Sequence, residues 1–346
     1  MKTEPSTFQP SKRRGSQLIF GLAPVVFLLL SCAPTAHTYS DSYFAMNTLI
    51  KVSLYSQDAN LEKPQLEVGK IFSLYDSLAD NNRRVNGHKN VYDINQTNDA
   101  VVVEKELFDL LAFAESMRKE TYGFLNPYIG NLSDLWKDHL HPERVSSEEL
   151  PPSLPSEEEI RACIDEMNDF KLEFNEESLT VRRIGTAKID LGAIAKGYAA
   201  QKAKEWIIAN GFKAYLVDAG TSSILLGDKD LQGATWNVGI RGIAKKMNVK
   251  NVCIGTSGID AEEAVFNGLS YSHIVNPFTG SAHVDYFGVT LLGQDAGILD
   301  ALSTAFILMG VEENLDKVTA LSEKYDISYV FYREGEIVKN QGVPFE

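Results

Sequence analysis

Two oxygen-bearing residues near the C-terminus have a spacing that suits shared chemistry. Asp300 and Thr304 are four positions apart in the sequence DALSTA at 300–305, so on a helix their side chains lie on one face. A carboxylate, a hydroxyl and water molecules suit Mg²⁺, which prefers oxygen ligands. The structural alternative is that Asp300 caps the helix and Thr304 hydrogen-bonds back to a carbonyl group. The pair alone is compatible with both interpretations.

A second segment combines an acid, small residues and a base. It has the sequence DLGAIAKGY from Asp190 to Tyr198, so a strand would deliver Asp190 and small residues would let a ligand approach the backbone. A helix N-terminus attracts phosphate through its free N–H groups and its dipole, and Lys196 adds a positive charge. Close packing of a strand on a helix also needs small residues and remains the alternative. The P-loop and GxGxxG patterns are absent.

A histidine precedes a turn rich in proline and glycine. The sequence YSHIVNPFTG at 271–280 predicts a strand that leads into the turn, with His273 at the end of the strand. A lone histidine there is either a hydrogen-bonded structural residue or a proton acceptor, since its unperturbed pKa is about 6.5. Another small-residue loop, DAGTSS at 218–223, follows a predicted strand and carries little information by itself.

The charge balance restricts the possible partners. The chain has 346 residues, with 33 Lys and Arg against 47 Asp and Glu, and a formal net charge of −14. Because nucleic-acid binding needs a basic face, the composition argues against a nucleic-acid-binding protein, and it also excludes a polytopic membrane protein. Hydrophobic residues make up 44% of the chain, which is enough for a folded core.

The N-terminal segment resembles a bacterial export signal. Basic residues at 12–14 precede an apolar run from Leu18 to Leu30. That run is shorter than the roughly 20 residues of a transmembrane helix but suits a signal peptide. It ends in LLSC, which resembles the bacterial lipobox, in which the cysteine (here Cys32) is lipidated and becomes the N-terminus. We expect a lipoprotein signal peptide at 1–31, a tether at 32–41 and one domain at 42–346. The alternative is an ordinary signal peptide with a cysteine near its cleavage site.

Strands and helices are predicted throughout the remaining chain. The expected elements are a strand at 43–55, an amphipathic helix around 68–78, a strand edge at 101–103, a helix at 104–120, a surface segment at 141–155, a helix from 156 to about 167, a hairpin at 172–181, a helix at 194–210 and a helix pair between 296 and 325. Ser156 and Glu159 have the spacing of a capping box. Cys163 and Cys253 show no CxxC spacing, so we expect two isolated buried thiols and no disulfide, zinc or redox motif.

Taken in order, these segments resemble the ApbE family, the FAD:protein FMN transferases. The motifs that carry the resemblance are AMNT at 45–48, GFLNP at 123–127, DLGAIAKGYA at 190–199, HIVNPFTG at 273–280 and DALSTA at 300–305. The resemblance extends from about residue 43 to residue 332. It implies an α+β fold: a single ApbE-like, T-fold-like domain with mixed sheets flanked by helices. It also implies that FAD lies in a cleft with a magnesium ion on its pyrophosphate.

The same resemblance implies which residues form the site. The metal would be held by the main-chain carbonyl of Ala193 and by the side chains of Asp300 and Thr304. The residues carried over to the FAD site by matching motifs are Met46, Tyr75, Phe124, Leu125, Asn126, Asp190, Lys196 and His273. Asp300 and His273 would be the catalytic residues, with His273 accepting a hydroxyl proton or orienting phosphate.

The chain departs from the family pattern at several positions. Asn47 stands where the family usually has glycine, and AGT at 219–221 stands where GGD or GGN is usual. Asn126 and Asn276 stand where aspartate is usual. None of these substitutions removes an implied metal ligand, so the resemblance still implies an enzyme.

The implied activity is Mg²⁺-dependent transfer of FMN from FAD to a threonine or serine hydroxyl of an acceptor flavoprotein, with release of AMP. Mg²⁺ would offset charge on the pyrophosphate, and in-line positioning would contribute most of the rest. The expected acceptor belongs to a membrane or exported electron-transfer system. The lipid on Cys32 would hold the protein on a membrane of the bacterial cell envelope, facing the periplasm or the exterior. The alternatives are a hydrolase that converts FAD to FMN and AMP, and a non-catalytic flavin-binding lipoprotein.

Overall fold

Strands and helices occupy most of the chain described by the computed structural model, which covers residues 36–144, 151–259, 264–333 and 335–346. The strands are β1 (His37–Ala45), β2 (Thr48–Ser56), β3 (Val101–Val102), β4 (Lys171–Asn175), β5 (Thr180–Ile184), β6 (Ala214–Ala219), β7 (Ser223–Leu226), β8 (Trp236–Gly239), β9 (Lys246–Val249), β10 (Val252–Gly258), β11 (Ala264–Phe266), β12 (Leu269–Tyr271), β13 (Gly288–Gly293), β14 (Ser328–Arg333) and β15 (Glu336–Gln341). The helices are α1 (Pro64–Ala79), α2 (Val91–Asn95), α3 (Lys105–Glu120), α4 (Gly130–Leu140), α5 (Glu157–Asn168), α6 (Ala195–Ala209), α7 (Ala296–Met309) and α8 (Leu315–Tyr325). Residues Ala36–Glu346 form one compact unit.

A large antiparallel sheet supports this unit. Its strand order is β1-β2-β6-β7-β10-β13-β14-β15, and each neighbouring pair is antiparallel. Smaller antiparallel sheets are formed by β3-β5-β4, β8-β9 and β11-β12. The α+β class is confirmed. Mixed sheets were expected, but the strand pairs within the described ranges are antiparallel, since many neighbours in the sheet are joined by hairpins or short connections.

The large sheet is buried on both faces around β14. Helices α1, α6 and α7 pack on one face, with α7 lying against β10 and β13. Tyr329 and Phe331 of β14 join the main core on that side. Val330 and Tyr332, which point the other way because side chains alternate along a strand, join a second core with Met247 of β9. The β8–β9 hairpin therefore covers the face opposite the helices.

The N-terminal strand differs from the sequence prediction. The segment 43–55 is not one strand, because β1 and β2 form an antiparallel hairpin in which Ala45 lies opposite Thr48. Met46 and Asn47 turn the chain with φ angles of 53° and 57°, the left-handed conformation used by tight hairpin turns. β1 begins at His37, so the second half of the segment 32–41 is part of the sheet and not a tether.

The elements predicted from periodicity and capping are confirmed. Helices α1 and α3 match the predicted apolar patterns, and α7 and α8 form the predicted C-terminal helix pair. Ser156 and Glu159 make the predicted capping box at the start of α5, and β4 pairs with β5 as the predicted hairpin. Cys163 and Cys253 are both free thiols, as expected, but only Cys253 is buried and Cys163 is partly exposed. Helices α2 and α4 and the β8–β9 hairpin were not predicted from the sequence.

Several expectations concern residues outside the described ranges. The signal peptide at 1–31, the lipidated Cys32 and part of the surface segment at 141–155 fall there. Within the part of the chain that the structure describes, no helix is both long and apolar enough to cross a membrane.

Candidate functional site

A cleft of about 710 Å³ brings together residues that are far apart in sequence. It is lined by the β1–β2 turn, by the loop that precedes α6, by the segment after β12 and by one face of α7. The implied site residues that line it are Met46, Phe124, Leu125, Asn126, Asp190, Ala193, Lys196, His273, Asp300 and Thr304.

Tyr75 is the implied site residue that does not line the cleft. Its side chain is only 4% exposed, and its ring packs edge-on against Tyr198 with the ring centroids 5.4 Å apart. Phe72 and Leu78 on the same helix are also fully buried, so Tyr75 belongs to the inner face of α1. The structure thus places Tyr75 in the hydrophobic core.

Asp300 is a buried carboxylate held by donors from two other elements. The residue is 6% exposed, and its Oδ2 accepts a hydrogen bond of 2.7 Å from the Gly197 N–H. The Ser223 hydroxyl donates to Oδ1 at 3.5 Å. Burial raises the pKa of the Asp300 carboxyl, while the positive charge of Lys196 and these hydrogen bonds lower it. A cation bound in the cleft would favour the ionised form of this group.

The first turn of α6 supplies a donor to Asp300. Gly197 is the third residue of α6, and the N–H groups in the first turn of a helix have no acceptor within the helix, so its N–H is available to donate to Asp300. The regular pattern begins with the next residue, since the Tyr198 N–H donates to the Ile194 carbonyl at 3.1 Å. Ala193 precedes the helix and lines the cleft.

Thr304 lies one helical turn after Asp300 and is partly exposed to the cleft. Its Oγ1 is 3.0 Å from the Ser257 Oγ of β10. The predicted placement on one helix face is therefore observed, because both residues belong to α7 and both line the cleft.

Asp190 to Ala193 form a loop, and no strand leads directly into Asp190 as was predicted, but polar contacts fix this loop. Asp190 Oδ1 accepts the Gly192 N–H at 2.8 Å, and the Asp190 N–H donates to the Pro127 carbonyl at 2.9 Å. The Nζ of Lys137 lies 3.8 Å from Asp190 Oδ2. This loop is therefore tied to the GFLNP segment, where Asn126 Oδ1 accepts the Tyr128 N–H at 3.0 Å.

His273 is exposed and lies two residues after the end of β12, not at the end of the strand as predicted, just before a Pro/Gly turn. The turn is closed by Asn276, whose Oδ1 accepts the Phe278 N–H at 2.9 Å and the Thr279 N–H at 3.2 Å. The Trp136 indole N–H donates to the Gly280 carbonyl at 2.7 Å, which anchors the turn to α4. Asparagine thus accepts the hydrogen bonds of this turn where the family usually has aspartate, and the side chain of His273 lines the cleft.

Several polar residues of the cleft were not assigned a role from the sequence. Arg241, which follows β8, is exposed and lines it. Ser222 also lines the cleft, and its buried Oγ has no hydrogen-bond partner among the described residues. Ser257 reaches Thr304, as described above. A sequence signal for these residues is weak, since serines and arginines are common and their roles depend on tertiary contacts.

The departures from the family pattern differ in how well they suit the backbone of their turns. Asn47 holds a φ of 57°, a conformation that asparagine tolerates better than most non-glycine residues. Gly220 is retained because an added Cβ would lie 2.1 Å from Thr48 Oγ1. Thr221 holds a φ of 65°, which is unfavourable for a β-branched residue and would suit the usual aspartate or asparagine better.

The donors around α7 fit a hard divalent cation. Asp300, Thr304 and Ala193 offer a carboxylate, a hydroxyl and a carbonyl, which are the oxygen ligands that Mg²⁺ prefers. Within the described ranges, no group of three or more His, Cys, Asp and Glu side chains could hold a metal ion. A cation here would therefore rely on one carboxylate, on neutral oxygens and on ligands from a bound substrate.

Comparison with known proteins identifies relatives that match more than half of the chain. The model of the ApbE family matches residues 46–329. The FAD:protein FMN transferase of Treponema pallidum is 31% identical over 238 residues, which are 62% of this chain and 62% of that protein. The FAD:protein FMN transferase of Haemophilus influenzae is 24% identical over 337 residues, covering 90% of this chain and 92% of that protein.

Solved structures agree with the fold. The crystal structure of the ApbE protein of Thermotoga maritima superposes with a TM-score of 0.74 at 26% identity, covering 88% of this chain and 97% of that one. The apo form of the flavinyl transferase ApbE of Pseudomonas stutzeri superposes with a TM-score of 0.72 at 21% identity, covering 89% and 95%. With the motifs gathered in one cleft and the family match spanning most of its length, the chain belongs to the ApbE family.

Proposed function

We propose that the protein transfers FMN from FAD to a threonine or serine hydroxyl of an acceptor flavoprotein and releases AMP. The observation that carries the proposal is the cleft in which the family motifs meet, with Ala193, His273, Asp300 and Thr304 among its lining residues. The relatives named FAD:protein FMN transferase support the same activity.

The cleft has the size and charge for a dinucleotide. A volume of about 710 Å³ lies within the usual range of small-molecule and cofactor sites, about 300–1,000 Å³. The pyrophosphate of FAD is negatively charged, and the cleft offers the positive side chains of Lys196 and Arg241. The unpartnered hydroxyl of Ser222 supplies a further donor for a bound polar group.

The residues around the cleft have separable roles in the proposed transfer. Mg²⁺, held by Asp300, Thr304 and the Ala193 carbonyl, would neutralise charge on the pyrophosphate. Lys196 attracts and holds the phosphates at the start of α6. His273, at the exposed side of the cleft where an acceptor protein can reach, takes the proton of the acceptor hydroxyl or orients the phosphate.

The direct test is mass spectrometry of a candidate acceptor after incubation with the protein, FAD and Mg²⁺. We expect a covalent FMN adduct on a threonine or serine, and no adduct with Asp300→Ala. FAD and Mg²⁺ without acceptor serve as the control. Many turnovers of FAD to FMN and AMP in that control, with no adduct when acceptor is present, would support the hydrolase instead. FAD binding with neither reaction would support a non-catalytic flavin-binding protein.

Single-turnover transfer at saturating FAD separates the roles of Lys196 and His273. Lys196→Ala should weaken FAD binding, with the larger loss at low ionic strength, because screening is weakest there. His273→Ala should slow transfer more than it weakens binding. A His273→Ala protein that transfers FMN as fast as the parent would show that this histidine is not the proton acceptor.

We also propose that Cys32 is lipidated and holds the protein on a membrane of the cell envelope, where the acceptor would be a membrane or exported flavoprotein. The apolar run at 18–30 and the LLSC sequence support this location. Cys32→Ala should release the protein from membranes or block its maturation. Unchanged labelling of that variant with a lipid precursor would contradict the proposal.

A further inference from the structure

Three hydroxyl groups form a short chain beside the proposed metal ligands. Ser303 Oγ donates to the main-chain carbonyl of Asp300 at 3.0 Å. Ser257 Oγ lies 2.8 Å from Ser303 Oγ and 3.0 Å from Thr304 Oγ1. Ser303 is fully buried, whereas Ser257 and Thr304 are partly exposed and line the cleft. The chain thus runs from the helix backbone to the cleft.

The direction of the protons in this chain follows from its buried end. A carbonyl oxygen can only accept, so the single proton of Ser303 points to Asp300. Ser303 can then only accept from Ser257, and the proton of Ser257 is used in that bond. The remaining contact, between Ser257 and Thr304, is completed only if Thr304 is the donor. Each hydroxyl therefore has one assigned proton.

This arrangement matters for a cation bound at Thr304. A neutral threonine hydroxyl binds a cation through an oxygen lone pair, and its proton must point elsewhere. A threonine inside a helix commonly donates its proton to the carbonyl four residues earlier, which here is the Asp300 carbonyl. Ser303 already donates to that carbonyl, and Ser257 offers the Thr304 proton another acceptor. The lone pairs of Thr304 are thereby left to the cleft.

We infer that Ser257 is a positioning residue that fixes the hydroxyl of Thr304 as a metal ligand, an inference that rests on the proposed function of the cleft. Ser257 acts through Thr304 and not by touching FAD phosphate. Outer partners of this kind orient a ligand before the metal arrives, and their loss typically weakens metal binding about 10-fold to 100-fold.

The test measures Mn²⁺ affinity, with FAD at saturation, from the electron paramagnetic resonance signal of the free ion. Ser257→Ala should weaken Mn²⁺ binding about tenfold, while Ser257→Thr, which keeps the hydroxyl, should retain most of the affinity. The matched control is Ser322→Ala. This change removes another buried hydroxyl, which donates a hydrogen bond of 2.6 Å to the main-chain carbonyl of Ile327. It should leave Mn²⁺ affinity unchanged.

A double-mutant cycle distinguishes positioning from a general structural effect. In a Thr304→Val background the Ser257→Ala change should cause no further loss of Mn²⁺ affinity, because the group through which Ser257 acts is already absent. Two results would overturn the inference. One is a Ser257→Ala change that weakens Mn²⁺ binding by the same factor in the Thr304→Val background as in the parent, and the other is normal Mn²⁺ affinity in Ser257→Ala alone. If Ser257→Ala fails to fold, Ser257→Cys, with its weakly accepting sulfur, should give the same weakening.

The two proposals can fail separately. Normal FMN transfer by the parent with unaltered Mn²⁺ affinity in Ser257→Ala would remove only the positioning role. Loss of Mn²⁺ affinity in Ser257→Ala, with no acceptor modified by the parent, would keep the positioning role and remove the transferase.

Discussion

The contact between α6 and α7 at Gly197 gives a quantitative prediction for Gly197→Ala. A Cβ added at this position would lie 2.2 Å from the Asp300 Cβ and 2.4 Å from the Ala296 carbonyl oxygen. Carbon atoms in favourable contact are about 3.5–4.0 Å apart. The two helices must therefore separate by more than about 1 Å, or Asp300 must move away from the Gly197 N–H.

The expected loss of stability combines three contributions. Inserting a methyl group into a well-packed core costs about 1–3 kcal/mol. Losing a hydrogen bond to a carboxylate costs about 1.5–3 kcal/mol, and the higher helix propensity of alanine offsets about 1 kcal/mol. The unfolding free energy should therefore fall by about 1.5–5 kcal/mol, which for a domain of this size lowers Tm by roughly 2–8 °C.

Thermal unfolding and Mn²⁺ titration with saturating FAD measure the two consequences together. The matched control is Gly297→Ala in α7, where the new Cβ would meet the Phe113 ring at 3.3 Å, a tight contact that a small ring movement relieves. We expect the control to remain within about 1 kcal/mol of the parent. If Gly197→Ala has the Tm and the Mn²⁺ affinity of the parent, the helix contact does not position Asp300 and the reasoning is wrong.

Other substitutions probe the turns and the acid sensitivity of the fold. Thr221→Asn should stabilise the protein by about 0.5–1 kcal/mol, because asparagine tolerates a positive φ better than threonine; a lower Tm would contradict strain at this turn. Asp76→Ala should weaken FAD binding several-fold with little effect on transfer at saturation, since Asp76 Oδ1 accepts the Met46 N–H at 2.7 Å and holds the hairpin turn at the cleft; unchanged FAD affinity would refute this. Burial alone would raise the pKa of Glu115, but hydrogen bonds from a neighbouring guanidinium and a tyrosine hydroxyl outweigh it and lower the pKa to about 2 from 4.5. This contribution to stability is present above pH 4.5 and is lost as the pH falls towards 2, so denaturant unfolding of Glu115→Gln between pH 6 and 3 should show a weaker pH dependence than the parent.

Local patterns predicted most helices, and tertiary contacts explain where prediction failed. The apolar spacing of α1 and the capping box at Ser156 are signals within one element, so they identified those helices correctly. The turn at Met46 and Asn47 was missed because methionine is an unusual residue at a positive φ, and the apolar and polar residues on both sides read as one strand. The apolar spacing of α1 includes Tyr75 and favours the core, where the structure has it, whereas its assignment to the FAD site came from the resemblance.

In the candidate site too, local motifs could be recognised from the sequence and tertiary contacts could not. The motifs around Asp190, His273 and Asp300 occur in sequence runs that could be recognised together, and the fold brings them into one cleft. Ser257 belongs to the same site but meets Thr304 across 47 positions of sequence. No local pattern marks such a pair, because a serine on a strand has the same appearance whether or not a hydroxyl of another element lies beside it.

The place of β1 and β2 in the large sheet has a consequence for the order of folding. Their neighbour in the sheet is β6, and about 160 residues separate the end of β2 from β6, a loop whose closure costs roughly 4–5 kcal/mol in chain entropy. An isolated two-stranded hairpin is only marginally stable in water, so β1–β2 cannot persist alone while the chain is being made. Helix α1 follows directly and packs on both strands, and its Asp76 accepts the Met46 N–H, but the second edge of β2 stays unpaired until β6 forms. We therefore expect amide hydrogen exchange during refolding to protect the β2 amides that pair with β6 only after β6 has formed, and a chain stalled before residue 214 lacks the later residues that complete the cleft.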